Sequence, residues 1–155
     1  MKVVVAAVGK PRDAALAAAI RQYEERAAHY WPLEVVEVKE EPARHLAPAQ
    51  VMEKEGERLR ARMPTGAVLV LCDAQGGQAL ASEAFARRLQ EWREAARDVV
   101  FAIGGAFGVD DSLRRSAQVR LSLAPWTLPH ELARLVLMEQ LYRAGTILRG
   151  EPYHK

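Results

Sequence analysis

The chain has 155 residues, half of them hydrophobic, and its 22 cationic and 20 anionic side chains leave a net charge of +2. That length supports one domain, residues 1–155, with a full core, while no apolar run approaches the roughly 18 residues needed to span a bilayer, and so small a charge gives little drive toward naked RNA or DNA. The single cysteine, Cys72, excludes an intrachain disulfide and a Cys-rich zinc site, and the four histidines at 29, 45, 130 and 154 lack any metal-ligand spacing.

The opening MKVVVAAVGKPRD holds a first strand at 2–8, too short an apolar run for a signal-peptide core, so a cytoplasmic location is expected. Leu16, Ile20, Tyr23, Ala27 and Tyr30 then recur at spacings of four and three, predicting a helix over about 13–30. LEVVEV at 33–38 reads as a strand, and 39–47 as a polar loop. A helix over 48–63 starts with Pro48 in its first turn and stops before PTG. The strand AVLVLC at 67–72 precedes a helix that Ser82 is expected to cap, with Phe85, Leu89 and Trp92 on its buried face.

Two more strands follow, VVFAI at 99–103 and VRLSL at 119–123. The runs near 3, 67 and 99 are almost continuously apolar, as strands covered on both faces should be. The expected fold class is therefore α/β, a largely parallel sheet flanked by helices. In the last helix, about 130–148, Leu132, Leu135, Val136, Leu137, Met138, Leu141, Tyr142, Ile147 and Leu148 cover more than one stripe. Such a helix is either a subunit interface or wholly buried within one chain.

Two loops leave the same edge of such a sheet. GGAFG at 104–108 follows VVFAI, and glycines there let a ligand approach the backbone, although a tight turn would use them equally well. The spacing matches neither the dinucleotide fingerprint nor a P-loop, which argues against a nucleotide-binding enzyme of flavodoxin-like or Rossmann type. LAPWTLPH at 123–130 follows VRLSL. Pro125 and Pro129 fix φ and remove two donors, making a rigid apolar wall suited to a flat, partly apolar ligand such as an adenosine.

The blocks IGGAFG, LSLAPWTLPHELARLVLMEQLYRA and RGEPYHK, with VAAVGK and LCDAQGG before them, together resemble the RlmH family over the whole chain. These are SPOUT-class enzymes that methylate N3 of a pseudouridine in 23S ribosomal RNA. The resemblance implies S-adenosylmethionine bound in a bent conformation within a C-terminal trefoil knot, a path the general rule against threaded loops would not suggest. It places cofactor contacts at Cys72, Gly104, Leu123, Ala124, Pro125, Trp126, Thr127 and Leu128. It further implies a homodimer with the site near the subunit interface, no separate RNA-binding domain, and the ribosome as partner, since a nearly neutral module is better served by a preformed surface than by free RNA.

Methyl transfer from a sulfonium is a direct displacement, so the protein has to align the reactants, exclude water and deal with the N3 proton. His130 is the first candidate, because it leaves the proline loop at the start of a helix and an imidazole exchanges protons near neutral pH; the alternative is a helix-start residue bonding its own backbone. Arg143 can meet a phosphate or the developing uracil anion, or simply pair with Glu139 four residues earlier. Tyr153 and His154 lie in a tail that is either frayed or completes a neighbouring subunit's pocket, Tyr153 by stacking on a base and His154 by contacting RNA. Trp126 is a pocket wall, a base platform or core, Asp73 caps a turn, and Cys72 has no neighbour that would activate it. A ribosome-associated binding module without turnover is the competing function.

Overall fold

Strands that are apolar on both faces need helices on both faces, and the computed structural model, which describes residues 1–155, satisfies that requirement. In chain order the elements are β1 (Val3–Val8), α1 (Ala14–Ala28), β2 (Leu33–Val38), α2 (Pro48–Arg60), β3 (Val68–Cys72), β4 (Gln78–Ala79), α3 (Ser82–Glu94), β5 (Val99–Ile103), α4 (Asp111–Ser116), β6 (Val119–Ser122) and α5 (His130–Leu148). All six strands are parallel, in the order β2-β1-β5-β3-β6-β4. Val3, Val99 and Val68 lie abreast across the three central strands.

Successive side chains of a strand point to opposite faces, and β1 divides accordingly. Val3, Val5 and Ala7 join a core with Ala27 of α1, Phe85 and Leu89 of α3, and Leu137, Met138 and Leu141 of α5. Val4, Ala6 and Val8 join a second core with Leu59 of α2 and Leu113 of α4. Each fully buried Val or Leu contributes roughly 1.5–3 kcal/mol, so these two stripes fix which face of each helix turns inward.

Local chemistry sets the helix starts. Asp13 caps α1 by accepting the Leu16 amide at 2.9 Å, and Gln50 reaches back to the Ala47 N–H at 2.9 Å at the head of α2. The expected Ser82 cap does not form. Ala81 holds the extended cap conformation, so Ser82 is already the first helical residue, and its hydroxyl donates to Gln140 Oε1 at 2.8 Å instead. The helices expected over 13–30 and 48–63 stop at Ala28 and Arg60, and β4 and α4 are additions.

Both α1 and α3 pack along α5, and that consumes much of the second apolar face. Leu137, Met138, Leu141 and Ala144 are fully buried, whereas Leu132, Leu135, Val136, Tyr142, Ile147 and Leu148 stay half-buried. The helix closes with Gly150 at φ +67°, the Glu151 amide bonding to the Thr146 carbonyl at 2.9 Å and the Gly150 amide to Ile147 at 3.0 Å. This left-handed turn sends the last five residues back along α5. No helix is long and apolar enough to cross a membrane.

Candidate active site

In a parallel sheet the loops after the strands collect at one edge, and here those after β3, β5 and β6 enclose a cavity of about 480 Å³. The volume falls within the roughly 300–1,000 Å³ usual for small-molecule sites. Cys72, Ile103 and Val109 line it beside the glycine loop, and Leu123, Ala124, Trp126, Thr127 and Leu128 line it from the proline loop. His130 and Ala133 contribute the first turn of α5. Of the cofactor positions expected from the sequence, Pro125 alone does not face the cavity.

The glycine loop is folded tightly on itself. A Cβ at Gly104 would lie 2.7 Å from the Gly108 carbonyl carbon, and Gly108 sits at φ +87° with its amide donating to the Gly105 carbonyl at 3.0 Å. Any side chain at 104 would force the turn open. Opposite it, Trp126 is 77 % exposed, which overturns the core reading and leaves its ring at the mouth of the cavity. Burial pushes the Cys72 thiol up to about 12, so it stays protonated and is no nucleophile.

Asp73 does more than cap a turn. Its Oδ1 accepts the Gln75 amide at 3.0 Å, and its Oδ2 takes Arg120 Nε at 3.0 Å and Nη2 at 2.7 Å, with Arg114 Nε 3.7 Å away. Arg114 also lines the cavity, and its buried Nε has no hydrogen-bond partner. The sequence reading missed Arg114, although the helix-start pattern DDSLRR, with Asp110 accepting the Leu113 amide at 2.6 Å, would have placed it one turn into a helix beside the loop. His130 has no bond to its own backbone; its Nε2 is 4.0 Å from Glu40 Oε1, and Glu40 is in turn held by Arg12 at 2.8 Å.

The other three catalytic candidates gather elsewhere. Arg143 donates to Glu139 Oε1 through Nε at 2.9 Å and Nη2 at 2.6 Å, and its guanidinium lies 4.7 Å from the centroid of the Tyr153 ring. Tyr153 donates to the same oxygen at 3.0 Å and packs on Tyr142 with ring centroids 4.6 Å apart and planes tilted by 59°. His154 sits between Arg143 at 3.2 Å and Glu83 at 2.9 Å. The tail is therefore packed rather than frayed, and desolvation together with bonds to Tyr23 and Glu139 raises the Tyr153 pKa well above its ordinary value, so the phenol keeps its proton. None of Arg143, Tyr153 and His154 lines the cavity. His130 and Arg143 are thirteen residues apart on one continuous helix, which at 1.5 Å per residue separates them by about 20 Å.

Residues 1–154 match the family model described as "Predicted SPOUT methyltransferase". The chain is 63 % identical to the ribosomal RNA large subunit methyltransferase H of Gemmatimonas aurantiaca and 46 % identical to that of Anaeromyxobacter sp. (strain K), each over 155 residues and the full length of both proteins. The crystal structure of the SpoU methyltransferase AviRb from Streptomyces viridochromogenes aligns with 97 % of this chain and 61 % of its own, at 16 % identity and a TM-score of 0.49.

Proposed function

The chain belongs to the SPOUT methyltransferases, within the RlmH family, and from that premise we propose that it transfers a methyl group from S-adenosylmethionine to N3 of a pseudouridine in 23S ribosomal RNA on the assembled ribosome, in the cytoplasm. The observation that carries this reading is the cavity itself, a mixed polar and apolar site walled by a glycine turn and an apolar proline loop at the carboxyl edge of the sheet.

The residues fit such a cofactor. The turn at Gly104 and Gly108 admits close approach to backbone, while Leu123, Thr127 and Leu128 offer apolar contact and backbone groups to a flat base. When bound, S-adenosylmethionine would supply an electrophilic methyl for a single displacement by nitrogen, with the thioether S-adenosylhomocysteine as leaving group. On the protein side, His130 stands at the cavity with Glu40 Oε1 4.0 Å away, and on this reading it would accept the N3 proton. Trp126, exposed at the mouth, offers an aromatic face for a nucleobase.

Arg143, Tyr153 and His154 cannot join His130 within one chain, because the length of α5 lies between them. We therefore read the active protein as a homodimer in which the tail of one subunit approaches the cavity of the other, the half-buried Leu132, Leu135 and Val136 contributing to the shared face. Arg143, its charge fixed by Glu139, would meet phosphate or the uracil anion, and Tyr153 would stack on a base. The trefoil path of the C-terminal loops belongs to the same reading.

The test is transfer of labelled methyl from S-adenosylmethionine to ribosomes lacking the modification, with protein-free rRNA in parallel and nucleoside analysis of the product. N3-methylpseudouridine arising mainly on ribosomes is expected. Ribosome binding with no transfer would replace the enzyme by a binding module. His130→Ala should lower the transfer rate by about 10²-fold or more without weakening ribosome association, as loss of a proton acceptor does.

A further inference from the structure

The inward face of α2 carries a residue that the core does not explain. Val51, Gly56 and Leu59 are buried there as expected, but so is Glu55, only 3 % exposed. One carboxylate oxygen, Oε2, accepts the Glu41 amide at 3.1 Å. The other, Oε1, is buried and has no hydrogen-bond partner. Leaving a buried carboxylate half-satisfied is costly, and an apolar residue of similar size would avoid that cost.

The surroundings show what the carboxyl faces. A Cβ at Gly105 would lie 2.8 Å from Glu55 Oε1 and 3.1 Å from both Oε2 and Val8 Cγ1, so the carboxyl is pressed against the back of a residue that also lines the cavity. The next residue on α2 meets the far end of the same loop. A Cβ at Gly56 would collide with the Asp110 carboxylate, which caps α4 and is held by Arg60 Nη1 at 3.2 Å. Through two adjacent residues, α2 thus grips the segment 104–110 at both ends. Burial raises the Glu55 pKa, opposed by the Glu41 amide and helped by Glu40.

Resting on the cofactor reading above, we infer that Glu55 is a positioning residue for the cofactor loop, its unpartnered Oε1 serving as acceptor for an N–H of the 104–108 turn when S-adenosylmethionine is bound. The free loop keeps that N–H out of line, and binding aligns it, so part of the order of the occupied pocket comes from behind rather than from the ligand side. Glu55 touches neither ligand nor substrate and acts through Gly105.

Two variants test this. Glu55→Gln keeps the shape and one acceptor, and Glu55→Leu keeps the bulk and removes both. Melting temperature, S-adenosylmethionine affinity by calorimetry and amide exchange of the 104–108 peptide are read for each, with the 150–155 peptide as internal control. Glu55→Gln, which keeps an acceptor for the Glu41 amide, should melt no lower than the parent, yet should bind the cofactor about tenfold more weakly, the worth of one good hydrogen bond. Glu55→Leu should bind more weakly still, and with saturating S-adenosylmethionine exchange should quicken at 104–108 alone. Affinity and exchange within twofold of the parent in both variants would overturn the inference, as would a loss of affinity that merely follows a fall in melting temperature. If the parent chain does not bind S-adenosylmethionine, the cofactor reading fails and the brace, which forms only in the occupied pocket, fails with it; a parent that binds beside variants that match it overturns the brace alone.

Discussion

Around the cavity the contact surface comes largely from backbone and small residues, with Gly104, Gly105 and Gly108 on one side and a proline-stiffened segment on the other. At the far end of α5 the working parts are large side chains, and one carboxylate, Glu139, takes bonds from both Arg143 and Tyr153 while its second oxygen takes Gln140 at 2.7 Å. A site made of backbone tolerates almost no added atoms. A site made of bonded side chains tolerates new atoms but not the loss of its hub. On the function proposed above, the first would hold a ligand by shape, and the second would hold charges and rings in place for a partner.

The variant expected to separate the two regions most is truncation after Gly150. It should remove transfer to ribosomes, a fall of at least about 10³-fold if Tyr153 and His154 both act, while cofactor affinity stays within about twofold; equal loss of both would end the idea of a tail that serves the RNA. Next, Gly104→Val should weaken S-adenosylmethionine binding by about 10²-fold, because its first added carbon meets the Gly108 carbonyl. Calorimetry reads the affinity, and unchanged amide exchange of the 150–155 peptide reports that the tail is undisturbed.

Smaller effects sharpen the contrast from the tail side. Glu139→Gln should cost about 1–3 kcal/mol in urea unfolding, since it takes the charge from a hub that pairs with a guanidinium and a phenol. Cofactor affinity should not change, and a shift there would show that the two regions are coupled within one chain. Tyr30 donates to Glu151 at the root of the tail, and that bond, with burial, raises its pKa from about 10 to about 12. A pKa raised in the folded state adds stability below the unfolded value that is lost as pH rises through the folded one. Tyr30→Phe should therefore cost about 1 kcal/mol at pH 8, and the difference should vanish between pH 10 and 12.

The sheet was readable because its signal is local. The runs at 33–38 and 99–103 coincide with β2 and β5 residue for residue, and the two loops could be placed at one edge once the strands were known to be parallel. The individual pocket positions came from the family resemblance rather than from that edge, and seven of the eight line the cavity. What escaped is either short or long-range. β4 is two exposed residues with no period to detect, and α4 is six residues with one buried side chain, Leu113. Arg114 owes its place to Asp73, forty-one positions earlier, and Glu55 to Gly105, fifty positions later. Ser82 was misread by one position because a cap is defined by backbone angles, which a serine alone does not reveal. The tail has no periodicity at all, and only the resemblance singled it out.

α5 also acts as a phase gear between the two regions. It begins in the cavity wall at His130 and ends under the tail, anchored on both flanks by α1 and α3. An inserted or deleted residue between them would turn one end by about 100° against the other and shift it by about 1.5 Å. The Schellman turn at Gly150 transmits that rotation to Tyr153 and His154 without absorbing it. Chain length should therefore vary most easily in the 42–47 part of the loop, beyond the contacts of Glu40 and Glu41, and be locked between Pro129 and Gly150, where even one indel would misdirect every aromatic and cationic group beyond it.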